Sequence, residues 1–533
     1  MTKEEFNLLY EPWILVMKPD GNTEEVSLLE LFQYAPKWRG LAGELPTQDV
    51  AVLRLLLAIL HASFGRYDLD GNYDPPTSPV AALKRWKAIW ERGEFPMGII
   101  KDYLLHFEDR FWLFHPAHPF YQVADMDKAT DYTAAKLNGE LSESGNKTRL
   151  FPQRTGEAKA RLRHSEAARW LLYVNAFDDT SAKPKEKGLP SPGAGWLGRL
   201  GLIIAVGDNL FQTLLLNLVF LKNGEDELWG EEMPIWEQPI RTGERTKITM
   251  PDNPSGLLSM QSRRLLLKRE EDSVFGFALL GGDFFAKENA FTEQMTVWRN
   301  AAKKETDPQE YHPKRHDPAR QIWRDFPALV AQGEGMRRSG VVNWLARLIR
   351  DNLILRSHYC FQIAAVRYGD KDFFIDDVFS DSISFNAGLL TEMRTDWINR
   401  IIDELETTEK LAQKAGHLAQ NLAKAAGNGK DGKAQKVAAI EQAYFRLDMP
   451  FRRWLEEIVP ERDGMDTVCD QWWEQARSIV RGLGKEIVEQ AGPQAFAGRT
   501  IKENKKEQRY TAPEAFNQFL YYTSTRDALK GGR

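Results

Sequence analysis

The pattern of hydrophobic residues changes near residue 386, and this change constrains the fold more than any other feature of the sequence. Before it, Gly and Pro interrupt the chain often, and helical stretches alternate with short strand-like segments such as 275–280. After it, helical periodicity runs through four segments, 389–425, 435–458, 465–490 and 512–529. Amphipathic helices joined by such short breaks predict a helical bundle.

The fold class that follows is α+β, in two domains. Residues 1–385 are predicted to form a large mixed domain, and residues 386–533 an all-α C-terminal four-helix bundle. A chain of 533 residues is too long for a single core. Its 16 Trp and 28 Phe supply enough large apolar side chains for two.

Composition narrows the class of protein. The N-terminus has acids where a signal peptide needs basic residues, and no apolar run reaches the length of a membrane span, so we predict a cytoplasmic protein without a membrane partner. Cys360 and Cys469 are the only cysteines, too few for a four-thiolate zinc site. The net charge of -5 argues against a free-standing nucleic-acid binder, although segments 145–170 and 182–201 are locally basic.

The histidines offer little support for catalysis. His115 and His118 are flanked by prolines, which exclude a helix that would bring both rings to one face. His312 and His316-Asp317 resemble a metal-dependent phosphohydrolase doublet, but the further ligands that such a site needs are missing from the pattern. We therefore predict a non-enzymatic protein with no metal and no cofactor. A metal-dependent nuclease or phosphohydrolase built on the second pair is the alternative.

Three segments could contact a polyanion. In GNKTRLFPQR, Lys147, Arg149 and Arg154 surround Phe151, which suits either a solvated surface or a finger that binds phosphates. The segment 181–201 has five glycines and three prolines and is either a connecting loop or a backbone that enters a narrow minor groove. The turn at 367–372 is either a hairpin tip or a wedge between base pairs.

These segments, with their order and spacing, resemble the CasA family, the large subunits of type I-E CRISPR Cascade complexes. The resemblance covers nearly the whole chain. Its marks are Asn7-Leu-Leu with Trp13-Ile14, the leucine-rich stretch near 50–61, His118-Pro-Phe-Tyr-Gln122, GNKTRLF, SPGAGWLGRLG, Gly207-Asp-Asn-Leu with Thr213-Leu-Leu-Leu-Asn217, and the C-terminal helices.

The resemblance implies that the chain recognises the motif beside the target in double-stranded DNA and starts R-loop formation. Its implied partners are the target DNA, the guide RNA, the other Cascade subunits and the helicase-nuclease effector. A plain protein-interaction scaffold is a further alternative. The resemblance also assigns residues to docking and guide-RNA contact: Asn146, Lys147, Thr148, Arg149, Leu150 and Phe151.

The DNA contacts implied by the resemblance fall in three places. The family's wedge carries a glutamine that this turn lacks, so Lys371 or its backbone would serve. Lys268 is the nearest match to the family's minor-groove lysine, although it lies several residues early. The implied DNA-binding residues are Gly193, Ala194, Gly195, Trp196, Arg199, Lys268, Gly369, Asp370, Lys371 and Asp372.

Overall fold

The computed structural model describes residues 4–139, 154–181, 183–184, 186–302, 307–330, 337–391, 394–427, 432–503 and 506–531. The chain divides into two compact units. The N-terminal unit comprises 1–320, 332–355 and 359–382, and the C-terminal unit comprises 321–331, 356–358 and 383–533.

Helices and short strands alternate through the N-terminal unit, as the mixed composition predicts, and longer helices dominate the C-terminal unit. In chain order, the helices of both units are α1 Leu28–Gln33, α2 Pro46–Phe64, α3 Pro79–Arg92, α4 Met97–His106, α5 Ala134–Leu137, α6 Glu157–Ala160, α7 His164–Phe177, α8 Leu210–Asn217, α9 Pro254–Leu258, α10 Phe326–Val330, α11 Gly340–Arg350, α12 Thr395–Ala426, α13 Lys433–Glu457, α14 Met465–Glu489, α15 Pro493–Ala497, α16 Ala512–Tyr522 and α17 Arg526–Gly531.

The strands are short except for two hairpins. They are β1 Glu5–Asn7, β2 Ile14–Met17, β3 Thr23–Val26, β4 Gly40–Leu41, β5 Trp112–Phe114, β6 Thr130–Thr133, β7 Leu162–Arg163, β8 Leu202–Val206, β9 Arg263–Glu270, β10 Ser273–Gly281, β11 Trp298–Asn300, β12 Tyr311–Pro313, β13 His358–Tyr368, β14 Ile375–Asn386, β15 Arg499–Glu503 and β16 Lys506–Tyr510.

Two sheets position the candidate site in the N-terminal unit. In one, β10 pairs with β6, β7 and β9, and in the other the order is β14-β13-β8. The predicted strand at 275–280 is confirmed as part of β10. Because β13 and β14 are neighbours joined by only a few residues, they form a hairpin whose tip is the turn at 369–372.

Helix α2 is the centre of the N-terminal core, where it packs against α4, α7, α8 and α9. It is long and apolar enough to cross a membrane by length and composition, contrary to our prediction that no such run exists, and 94% of that stretch is buried inside the protein. Its polar Arg54 forms a buried ion pair with Glu293, with nitrogen–oxygen distances of 2.8 and 2.9 Å. The ion pair compensates the positive charge of Arg54, whose burial without a partner would cost folding free energy.

In the C-terminal unit, α12 packs against α13, α14 and α16. Aromatic rings link α13 to α14, with the Phe451 and Trp472 ring centroids 5.1 Å apart, and Trp323 stacks on Phe451 with centroids 4.5 Å apart. The prediction that this part is all-α is wrong, because β15 and β16 form an antiparallel hairpin. Segment 499–509 falls in the break between the last two predicted helices, and its charged residues show no alternation of apolar residues that would predict a strand.

Candidate nucleic-acid interface

The glycine loop, residues 193–199, lies against the C-terminal end of α7. The Gly195 amide donates to the Asp178 carbonyl oxygen at 2.9 Å. Arg263 on β9 donates from Nη2 to the Gly193 carbonyl oxygen at 2.7 Å. The loop is therefore fixed between a helix and a strand, which gives it a defined position on the N-terminal unit.

The two central glycines of the loop have different roles. Gly195 is buried, and a Cβ atom there would collide with the Ala176 carbonyl group, 2.6 Å from its carbon. Gly193 is half-buried, and a Cβ atom there would meet only guanidinium atoms of Arg199. Packing against α7 thus requires glycine at 195, whereas the nearest neighbour of a side chain at 193 would be the Arg199 guanidinium group.

Two residues of the loop that were predicted to contact DNA, Ala194 and Trp196, have buried side chains. The side chains of Ala194 and Trp196 are 3% and 5% exposed. Trp196 donates from Nε1 to Glu293 Oε2 at 2.8 Å, so its ring belongs to the core around the buried Arg54–Glu293 pair. Contact of these two side chains with DNA is contradicted by their burial, which the glycine-rich composition of the loop could not reveal.

A buried charge cluster lies beneath the glycine loop. Asp178 pairs with Arg263 Nε at 2.5 Å and with Lys183 Nζ at 2.8 Å, and Asp179 pairs with Lys136 at 2.6 Å. Burial alone would raise the pKa of Asp178, but Lys183, Arg263 and Lys136 bring it below its ordinary value. Burial lowers the pKa of Lys183 to about 8. The cluster therefore fixes segment 178–181, to which the amide of Gly195 is hydrogen-bonded.

The turn at 369–372 is joined to the same segment of chain. The Thr180 amide donates to the Asp372 carbonyl oxygen at 2.9 Å. Thr180 Oγ1 donates to the Lys371 carbonyl oxygen at 3.0 Å, although the two residues are 191 positions apart. Because Asp178 holds Gly195 and Thr180 holds the turn, segment 178–181 links the two predicted DNA-contacting loops.

The backbone of the turn is strained. Lys371 and Asp372 have φ angles of 55° and 58°, in the left-handed region that non-glycine residues rarely adopt. Arg315 donates from Nη1 and Nη2 to the two Asp372 carboxylate oxygens at 2.7 and 2.8 Å. This bidentate pair holds the turn in its strained form, while Asp370 and Lys371 remain exposed.

Two consecutive phenylalanines after the turn have different surroundings. Phe374 packs against Gly369, where a Cβ atom would lie 2.6 Å from ring carbon Cε1, and its carbonyl oxygen accepts from the Gly369 amide at 2.9 Å. Phe373 is 42% exposed beside Lys371. Phe373 is not among the DNA-binding residues predicted from the sequence. The signal was available, since adjacent residues leaving a turn toward a strand tend to face opposite sides.

Lys268 lies apart from the glycine loop. It follows Arg263 by five residues along β9, roughly 17 Å in an extended strand, and its Nζ pairs with Asp131 Oδ2 at 2.6 Å. Strand β9 therefore does not bring Lys268 next to Gly193, and its minor-groove role stays a prediction. The predicted docking residues lie outside the described residues: Asn146, Lys147, Thr148, Arg149, Leu150 and Phe151.

The histidines proposed for the alternative nuclease site do not form a metal-ligand group within the described ranges. A ring nitrogen of buried His316 lies 2.9 Å from the Leu202 carbonyl oxygen. His312 Nε2 lies 2.5 Å from the Glu310 carboxylate instead. The two rings thus have different partners, His316 a backbone carbonyl and His312 Nε2 a surface acid.

One group of potential metal ligands occurs among the described residues, Asp109 with His115 and His118. His115 Nδ1 accepts from the amides of Ala117 and His118 at 3.1 and 3.0 Å. A neutral imidazole whose Nδ1 accepts carries its proton on Nε2, the atom that faces Asp109 at 3.6 Å. His115 therefore acts as a donor, and the two remaining ligands are too few for a zinc site.

Comparison with known proteins places the chain in a protein family. The family profile of CRISPR-associated protein Cse1 matches residues 7–483. The CRISPR-associated protein CasA/Cse1 of Thermus thermophilus is 30% identical over 504 residues, which cover 91% of each chain. The crystal structure of Thermobifida fusca Cse1 has 32% identity and a TM-score of 0.84, covering 99% of both chains.

A more distant structure shares the fold alone. A chain of a CRISPR RNA-guided surveillance complex matches with 16% identity and a TM-score of 0.66, covering 91% of this chain and 99% of the other. The profile match and the identity to the Thermus protein confirm the resemblance seen in the sequence. The chain belongs to the Cse1 family of CRISPR-associated proteins, also called CasA.

Proposed function

We propose that this chain is the non-catalytic large subunit of an RNA-guided type I-E Cascade surveillance complex. In this role it recognises the motif next to the target in double-stranded DNA and starts duplex opening. In such systems the guide RNA reads the target by base pairing, and the protein reads only the short adjacent motif. Membership of the Cse1 family supports the proposal, and so does the shared fold with a surveillance-complex chain.

The observation that carries the proposal is the joining of the glycine loop to the turn at 369–372. Segment 178–181 bonds to Gly195 at one end and to Lys371 and Asp372 at the other. A surface that captures a motif and a surface that pries open the neighbouring base pair must be about one base step apart. A shared anchor of four residues provides that closeness, and the buried Asp178 cluster makes it rigid.

The partners of the complex follow from the same proposal. The other Cascade subunits and the guide RNA hold the heteroduplex, and the C-terminal helices act as a four-helix bundle that flanks it and the displaced strand. The helicase-nuclease is recruited after strand invasion, so this chain needs no catalytic group, metal or cofactor of its own. Since the rest of the assembly supplies most of the positive channel, a net charge of -5 is compatible with DNA binding.

Mobility shifts with and without this chain test the proposal directly. We expect the assembled complex to bind a target with the adjacent motif at least tenfold more tightly than one in which only the motif is changed, since one mismatched pair costs about 1–3 kcal/mol. The complex that lacks this chain should not distinguish the two targets. Equal preference by both complexes would contradict motif recognition here.

The side chain that separates the strands is proposed to be Phe373, with Lys371 beside it. Proteins that kink DNA insert apolar side chains between base steps, because an aromatic ring replaces part of the lost stacking. Phe373 is exposed next to a turn that Arg315 and Thr180 hold in a strained conformation. A rigid, exposed ring is suited to this task, and Lys371 can contact a phosphate of the opened strand.

Replacing Phe373 by Ala should impair strand opening more than motif capture. Stacking of a base on an aromatic side chain contributes about 1–3 kcal/mol, so we expect the opened fraction to fall roughly tenfold while motif-dependent binding changes little. Permanganate modification of unpaired thymines measures the opening, and a mobility shift measures capture.

The matched control is Phe275→Ala, since Phe275 on β10 has a nearly equal exposure of 41%. Its loss should leave permanganate reactivity unchanged. Normal opening by the Phe373→Ala complex would remove Phe373 from the mechanism and leave Lys371 or the backbone. Replacing Asp372 is a poor test, because it also breaks the pair with Arg315.

A further inference from the structure

The guanidinium group of Arg199 is oriented by the protein but not neutralised by it. Its Nε donates to the Ala194 carbonyl oxygen at 3.0 Å, and its Nη2 atom lies over Gly193. In the part of the chain that the structure describes, Arg199 forms no ion pair with a carboxylate. Arg199 is half-buried, so the group is both held in place and accessible.

A second arginine, Arg245, contacts the chain just before the glycine loop. Arg245 donates from Nη1 to the Pro190 carbonyl oxygen, and its Cζ lies 4.0 Å from the Phe284 ring centroid. Its backbone amide donates to Glu186 Oε1 at 2.8 Å, but its guanidinium group forms no ion pair among the described residues. The ring contact and the carbonyl contact together orient this group.

Arg199 and Arg245 line one cavity together with Gly193. The acid in its wall, Asp283, is already paired with Arg264 at 2.5 Å and Arg241 at 3.0 Å. The remaining cation in the wall, Arg263, is likewise occupied by Asp178. The cavity thus presents two preformed positive groups whose charge is not cancelled by its own wall.

We propose that Arg199 and Arg245 together bind one phosphate group of the DNA backbone beside Gly193. The planar fork of a guanidinium matches two phosphate oxygens, and groups that are already oriented lose little entropy on binding. The assignment rests on the proposed function, because that function places the duplex against the glycine loop. It adds a contact that positions the DNA without reading its sequence.

The ionisation of the two arginines agrees with this assignment. Burial lowers the pKa of each from its ordinary value, and the nearby charge of Arg263 lowers both further. Arg199 and Arg245 therefore lie in a field that disfavours a positive charge. A bound phosphate would relieve that repulsion.

Salt dependence of DNA binding tests the site. The complexes with Arg199→Gln and Arg245→Gln should each bind about tenfold more weakly, to duplexes with and without the motif alike. The slope of log affinity against log salt should become shallower by about one for each variant. Arg199→Lys keeps the charge and should restore the slope, and Arg92→Gln, an exposed arginine near Glu94, should change neither quantity.

The outcomes separate this inference from the function on which it rests. A wild-type slope in both Gln variants would overturn the phosphate site, as would a loss confined to the duplex that carries the motif, or a defect only in assembly with guide RNA. Equal binding of the wild-type complex to both duplexes would instead contradict motif recognition, while the slopes still decide the phosphate contact.

Discussion

Replacing Asp178 by Asn is expected to lower the free energy of unfolding by about 3–5 kcal/mol, the cost of breaking a buried ion pair on one side only. The change removes the negative charge but leaves Lys183 and Arg263 in place, with side chains 1% and 3% exposed. Lys136, Lys183 and Arg263 would then share only the Asp179 carboxylate as a counter-charge, and an excess of buried positive charge is strongly disfavoured. Urea unfolding followed by circular dichroism measures the loss.

The pH dependence of this effect identifies its cause. Because the folded state holds the pKa of Asp178 below its ordinary value, the stabilisation is present above about pH 4 and is lost as the pH falls further. The difference between wild type and Asp178→Asn should therefore shrink as the pH is lowered from about 4 to about 2. A difference that stays constant over this range would show that lost packing, not lost charge, is responsible.

A surface pair provides the control. Asp376 pairs with Arg367 at 2.8 Å, but both side chains are nearly half exposed. Solvent screens such a pair, and Asp376→Asn should change stability by less than about 1 kcal/mol. If Asp178→Asn has an equally small effect, the charge cluster is not the rigid anchor that we infer beneath the glycine loop.

Replacing Gly193 by Leu is expected to abolish motif-dependent loading. The minor groove is only about 6 Å wide, so a branched side chain at Gly193 would keep the backbone from the base edges. The complex should then bind targets with and without the motif equally, a loss of roughly tenfold to a few hundredfold in preference. Mobility shifts on two targets that differ only beside the protospacer measure it.

Gly193 is a better position than Gly195 for this test, because a substitution there does not collide with the protein backbone. The nearest atoms to a side chain at 193 belong to the Arg199 guanidinium group, whereas a side chain at 195 strikes the backbone of α7 and would disturb the fold itself. Gly98→Leu is the matched control, because nothing lies within 4 Å of a Cβ atom there. Retained motif preference in Gly193→Leu, with an unchanged melting temperature, would contradict the minor-groove role.

Much of the local structure could be predicted from the sequence, because short-range physics determines it. The capping box at Ser27 is present as its sequence pattern predicts. Glycine and proline in 181–201 exclude regular structure over most of that range. Thr47, in contrast, has the residue type of a helix cap but does not serve as one, since α2 begins one residue earlier at Pro46 and buries it. The hairpin 499–510 was missed because its pairing is not visible in charge alone.

The sequence by itself determined the family, the loop character of the glycine-rich segment and the helical C-terminal region, since each follows from neighbouring residues and their order. Only the tertiary structure decided which side chains are available. It buries Trp196, exposes Phe373, and places Thr180 against Lys371 across 191 positions of chain. Burial and long-range hydrogen bonds depend on how distant segments pack, and a local pattern carries no record of that packing.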